Sequence, residues 1–302
     1  MSVLVCSSSA HAGGLDSFVD GFRHAASAGK SSHILTVDND TFVLGGEDGF
    51  YSSGLLYTRQ HQVREENGLA TYGWRIGQEL YTASNTQLTP EQIVPNDRPY
   101  AGWLYVGGFK QTTRADGSSR KWGVDLGCLG HCAGGEWAQK TMHRILDQAL
   151  PQGWAKQVRN EVGVVLSAEH NFAPWHVAPR VTLTPALHGR FGNIYTDASA
   201  ALLLKIGEQE KARGESDLHG FFRLEGRGVG YNATLQGGYF SNNNPHTVNP
   251  RRLVAEAEIG FVWRHAPFAL LFSITRRSNE IRDLPNAIGR QDFGKLQISY
   301  SP

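Results

Sequence analysis

From Leu253 to Trp263 the apolar side chains fall on alternate positions: Leu253, Ala255, Ala257, Ile259, Phe261 and Trp263 share one face, and Glu256, Glu258 and Arg264 lie on the other. Successive side chains of an extended chain point to opposite sides, so this stretch reads as a β-strand with one oily and one charged face. The pattern returns at Val181-Leu183-Leu187 against Thr182-Thr184-His188, at Phe222-Leu224 against Arg223-Glu225-Arg227, and at Leu296-Ile298-Tyr300 against Lys295-Gln297-Ser299. Alternation alone fits a soluble sandwich, with its charged face in water, or a membrane barrel, with its charged face lining the lumen. Length favours the barrel. Segments 33–44, 51–62, 70–82, 100–112, 178–190, 194–207, 252–264 and 267–277 each run to ten residues or more, whereas soluble strands average about 5–6 and tilted membrane strands need about 9–11. Tyr51, Tyr57, Tyr72, Trp74, Tyr81, Tyr100, Trp103, Tyr105, Trp263 and Tyr300 sit near strand ends, as the aromatic girdles at membrane interfaces do. The expected fold is all-β: a transmembrane antiparallel barrel of about twelve strands.

Composition agrees. Glycine, 35 of 302 residues, exceeds the roughly 7% of average proteins and suits many turns and strand kinks. No run reaches the ~20 apolar residues of a membrane helix, which excludes helical membrane proteins but not barrels. Lys and Arg (29) nearly balance Asp and Glu (28), so nothing in the net charge draws the chain to nucleic acid. Residues 1–12 end in Ala10-His11-Ala12, a small-x-small cleavage pattern without a basic start or a full apolar core, and read as the remnant of an export signal. Cys6 follows Val5, a poor context for a lipoprotein anchor. Residues 13–32, with Leu15, Phe18, Val19 and Phe22 at helical spacing, read as a leader on the periplasmic side, and 33–302 as the barrel.

One stretch departs from the strand pattern. In Gly134 to Leu150, Ala138, Met142, Ile145 and Ala149 form a helical stripe, and Gln139 and His143, four apart, project together beside it. Just before it, Cys128 and Cys132 allow a short-loop disulfide, two free thiols or, less readily, a zinc site with His131.

The blocks VDNDTF (37–42), YSSG (51–54), GQELYT (77–82), NDRPYAGW (96–103), GGEWAQKTMH (134–143) and PQGW (151–154), in this order and at this spacing, resemble the lipid A 3′-O-deacylase family of outer-membrane barrels. The similarity runs from about Ile34 through Asn232 to the last strand. It implies an extracellular-loop helix facing the barrel wall and calcium-dependent hydrolysis of the 3′-linked acyloxyacyl ester of lipid A. The substrate would be lipid A or lipopolysaccharide, met among outer-membrane lipids of a Gram-negative bacterium by a monomer. By the same resemblance Asn39 and Asp40 match the family's Asn-Asp pair, Ser52 its hydroxyl residue after Tyr, and His143 its helical histidine.

Elementary chemistry supports these roles. An imidazole ordinarily titrates near about 6.5, so in its neutral form it takes a proton from water. The Asp40 carboxylate is a hard oxygen ligand suited to Ca2+, which would polarise the ester carbonyl. Asn39 and Ser52 would orient base, water or oxyanion. Gln139 reads as a positioning or substrate contact, or as a solvated glutamine. Strict alternation sends Asn39 and Asp40 to opposite faces, so they serve one site only if a bulge or strand end intervenes. The family also uses a lysine after the third strand, where this chain reads Asn85-Thr86-Gln87-Leu88-Thr89; Arg98 is the nearest substitute for that substrate contact, or else pairs with Asp97. Two other readings stand beside this one: a non-enzymatic barrel or pore, and an outer-membrane phospholipase with Ser52 or Ser53 as nucleophile.

Overall fold

The structure, a computed structural model, describes residues 12–43, 49–66, 68–207 and 216–302. Of the expected export-signal remnant, residues 1–11, with Cys6, lie outside the described residues, as does Leu44. A helix α1 (Ala12–Ala28) precedes strands β1 (Lys30–Asn39), β2 (Phe50–Glu65), β3 (Gly68–Thr82), β4 (Ala101–Arg114) and β5 (Ser119–Leu129). Helix α2 (Gly135–Ile145) follows, then β6 (Glu161–Asn171), β7 (Trp175–Ala178), β8 (Val181–Gly192), β9 (Tyr195–Gly207) and β10 (Asp217–Asn232). The chain ends with β11 (Leu253–His265), β12 (Phe268–Arg277) and β13 (Gln291–Tyr300). Every pairing is antiparallel between chain neighbours, β13 returns to β1, and β6 joins β8 through Val165–Asn171 against Ala186–Gly192. Twelve strands therefore close a barrel, and β7 is an extra strand that pairs with β8.

Closure removes sheet edges, the requirement for backbone in lipid. The side chains are sorted as a membrane demands: Leu55, Ile76, Val106, Leu126, Leu166, Leu224 and Ile259 are exposed on the outer wall, while charged groups point inward. The apolar face of residues 253–263 is the outer one, and its partner face places Glu256 and Glu258 inside. The expected aromatic girdle holds only in part. Tyr51, Tyr81, Trp103 and Tyr105 face inward, and the Tyr81 and Tyr195 hydroxyls both donate to Glu79, each at 2.8 Å. Their phenols have a polar partner in the lumen, which lipid does not offer.

A lattice of ion pairs crosses that lumen, leaving beside it a cavity of about 570 Å³ lined by Thr36, Lys205 and His219 among others. Arg98 meets Glu280 at 2.7 Å, Arg277 bridges Glu280 (3.8 Å) and Glu256 (2.7 Å), and Arg227 joins Glu256 (2.9 Å) to Glu225 (3.0 Å). Arg223 contacts Glu225 and reaches Glu258 at 4.0 Å, and Lys295 meets Glu258 at 3.3 Å. Alternating charges thus run unbroken through the barrel, each buried ion facing an opposite one, as burial requires. A non-enzymatic open pore, which needs an unobstructed lumen, is at odds with this lattice.

Strand connections are unequal. β2–β3, β4–β5 and β11–β12 are joined by tight turns at one end, whereas residues 83–100, 130–160, 233–252 and 278–290 form long connections at the other. Barrels of this kind carry short turns on the periplasmic side and long loops outside, so α2 is extracellular and α1 lies at the periplasmic end. α1 packs on the outside of the wall: Phe18, Phe22 and Ala25 meet Ala70, Tyr72 and Val63. Cys128 and Cys132 are disulfide-bonded, and His131 shares a 2.8 Å hydrogen bond with Gln157. Neither free thiols nor a zinc site remains.

Candidate active site

α2 begins where glycine is needed. Gly134 has φ 66°, a left-handed conformation that favours glycine, and a Cβ on Gly135 would stand 2.6 Å from Trp154 Cη2 and 2.9 Å from Leu80 Cδ2. With nothing there, the helix lies flat on the outer wall over β3. Gln78 pins its start by donating to the Ala133 carbonyl at 2.6 Å, and Leu80, Ile93, Tyr100 and Trp154 form the core beneath, with Ala138 packed against it. The expected helix from Gly134 to Leu150 stops at Ile145, because Asp147 turns to φ 53° and the chain folds back. Ala149, read as part of the helical stripe, lies in that return.

Gln139 and His143, one turn apart, face the wall and are buried. The Gln139 Oε1 accepts the Trp154 indole N–H at 2.8 Å, which fixes the amide and leaves its Nε2 buried with no hydrogen-bond partner among the described residues. The His143 Nδ1 lies 2.7 Å from the Ala149 carbonyl oxygen. A carbonyl only accepts, so Nδ1 carries the proton and Nε2 is the basic nitrogen of the neutral ring.

Opposite the helix are the ends of β1 and β2. β1 terminates at Asn39, and Asp40 opens a 3-10 turn (Asp40–Phe42) capped by the Asn39 side chain, whose oxygen accepts from the Thr41 N–H at 2.8 Å. This strand end is what lets neighbouring residues line one cavity. A register shift between Tyr51 and Ser53 does the same in β2: it breaks the phase of the strand so that adjacent Ser52 and Ser53 both border the outer site, where Ser52 shares a 2.7 Å hydrogen bond with Thr82. Asp40, 2% exposed, accepts the Gly49 N–H on Oδ2 at 3.0 Å.

Asn39, Asp40, Ser52, Gln139 and His143 all border one cleft of about 220 Å³. The rest of its lining is largely apolar, with Val37, Leu55 and Leu80 from the wall and Met142 and Leu146 from α2. Leu55, Met142 and Leu146 are exposed, so the cleft opens sideways along the lipid-facing wall. Arg98 stands apart. It is fully buried, donates to Glu280 at 2.7 Å and to Thr234 at 3.0 Å, and stacks over Tyr81 at 4.5 Å. Its side chain therefore pairs with Glu280 and not with Asp97, and it does not border the cleft proposed to take substrate. Trp154, which holds Gln139, carries no sign of that role in the sequence; the PQGW block marks its position, but only the fold brings it under the helix.

A closed barrel with an apolar outer belt, a lumen crossed by ion pairs and a polar cluster on its outer wall defines an outer-membrane barrel with a candidate site on its lipid-facing surface. The sequence model of the family described as "Outer membrane protein LpxR" matches residues 2–301. The chain belongs to that family, which supports an outer-membrane lipid A deacylase and hence a hydrolase. Among solved structures, LpxR from Salmonella typhimurium is similar at a TM-score of 0.75 and 20% identity, covering 89% of this chain and 99% of that one. The β domain of the Bordetella autotransporter BrkA matches at 0.51 and 12% identity, covering 90% and 99%, a likeness of fold alone. No curated protein sequence matches.

Proposed function

We propose that this chain hydrolyses the 3′-linked acyloxyacyl ester of lipid A with water activated by His143, acting as a monomer in the outer leaflet. The observation that carries the reading is the placement of a tautomer-fixed imidazole and an unpartnered amide N–H in a cleft that opens onto the membrane face, with an apolar lining suited to an acyl chain. Nε2 of His143 takes a proton from water as its oxygen bonds to the ester carbonyl carbon. The carbonyl π electrons move to oxygen, and the Gln139 Nε2–H donates to that oxyanion. Collapse breaks the bond to the sugar 3′ oxygen, which leaves with the proton held by His143. The products are a free acyloxyacyl acid and a 3′-hydroxyl. Asn39 holds the Asp40 turn, and Ser52 orients the groups around it.

The donors on the wall side are oxygens: the Asp40 carboxylate, the Ser52 hydroxyl and the Asn39 amide. The set fits a hard divalent cation such as calcium, with Asp40 as its charged ligand. When bound, that ion would supply Lewis-acid polarisation of the ester carbonyl. A serine nucleophile is less well supported, because the Ser52 hydroxyl is bonded to Thr82 and not to His143.

Mass spectrometry of lipid A from cells with and without the protein tests the reading, in calcium and with calcium chelated. The expected result is loss of one acyloxyacyl unit from the 3′ position in calcium only. An unchanged acylation pattern with the barrel folded and calcium present would overturn it.

A further inference from the structure

On the outer wall, away from α2, three small residues face outward: Gly108 on β4 and, across β5, the register partners Ala168 on β6 and Gly189 on β8. Ala168 is the direct register partner of both Trp122 and Gly189. Neither glycine is called for by the protein itself. Both lack a left-handed φ, and an added Cβ would meet nothing closer than 3.8 Å, Phe18 Cζ at Gly108 and the Asp197 carbonyl at Gly189. What they do is leave space. The resulting groove, about 650 Å³, is lined almost entirely by carbon and flanked by the exposed rings of Trp122 and Phe191, with Phe18 of α1 at its periplasmic end. At that end two cations point outward: Lys110, the register partner of Trp122, with its ammonium 5.0 Å above the Tyr72 ring, and Arg120, two residues from Trp122 on the same face. Neither makes an ion pair among the described residues.

We propose that this groove is a binding site for one phospholipid of the periplasmic leaflet, its acyl chain along the small-residue floor and its anionic headgroup on Lys110 and Arg120. An apolar trough ending in cations near the tight β4–β5 turn complements such a lipid in both shape and charge. The chain would cover the free side of Phe18 and so fasten α1 to the wall. The site lies apart from the α2 cleft and does not depend on the ester chemistry proposed there.

The test is native mass spectrometry of the full chain extracted from outer membranes in mild detergent, followed by titration of the delipidated barrel with phosphatidylglycerol and phosphatidylethanolamine. One phospholipid per barrel is expected, with phosphatidylglycerol preferred. Ala168→Phe fills the floor and is expected to abolish the adduct. Lys110→Gln with Arg120→Gln is expected to remove the preference, each cation being worth about fivefold in binding anionic lipid. Heat-modifiable migration confirms folding, and the paired Gln variant carries the test if Ala168→Phe does not assemble. A wild-type barrel without bound phospholipid, an adduct or preference unaffected by these changes, or lipid A as the bound species would overturn the proposal.

Discussion

The Nδ1 nitrogen of His143 lies 2.7 Å from the carbonyl oxygen of Ala149, beyond the end of α2. The loop that follows the helix thereby sets which imidazole nitrogen is basic. His143→Ala is expected to lower deacylation by about 10²–10⁴-fold, the usual contribution of a positioned general base, while heat-modifiable migration of the barrel is retained. Full activity in that variant would sink the mechanism.

Gln139 differs from a solvated helix glutamine in having its oxygen committed to Trp154, which presents the nitrogen. Gln139→Glu replaces a donor by an anion and is expected to reduce kcat by about 10²–10³-fold, with KM little changed. Trp154→Phe removes the tether together with part of a ring from the core under α2, and should cost less in kcat, about fivefold, or ~1 kcal/mol for the lost hydrogen bond. Steady-state kinetics on detergent-solubilised lipid A separates the two. A raised KM with kcat unchanged for Gln139→Glu would assign it to substrate binding instead.

Gly135 tests the seating of the helix. Any side chain there collides with Trp154 and Leu80, so Gly135→Leu should lift α2 from the wall and abolish activity without unfolding the barrel. Retained activity would show that the helix-to-wall distance does not matter to the reaction.

The lumen lattice predicts a stability asymmetry. Glu256→Ala strips Arg227 and Arg277 of a shared buried partner and is expected to cost about 3–5 kcal/mol. Arg276→Ala removes an ion pair with Asp292 from an arginine that is mostly exposed, and should cost no more than ~1 kcal/mol. Urea unfolding followed by tryptophan fluorescence distinguishes them; similar midpoints would contradict the burial argument.

How legible all this was in the sequence depended on local pattern. Strands whose two faces differ sharply, such as 253–265, announced themselves. β5 and β6 did not. In β5 Gly123 and Gly127 alternate with the inward Lys121 and Asp125, and in β6 Gly163 and Val165 separate Glu161 from Ser167, so the polar half of the alternation is interrupted. β10 and β13 showed only as fragments around Phe222 and Leu296. The pairing of Asn39 with Asp40 and the outward turn of Ser52 rest on a strand end and a register shift, neither of which carries a residue signature. Motif order located His143 and Gln139. It could not show that Arg98 faces Glu280, because the two, 182 positions apart, are brought together only by barrel closure.

The chain of opposite charges that crosses the barrel also matters to the cell that carries it. A wall protein with a stoppered bore adds no leak, so such a surface enzyme can be abundant without admitting antibiotics or bile salts, and its number per cell is set by demand for its chemistry and not by the integrity of the permeability barrier.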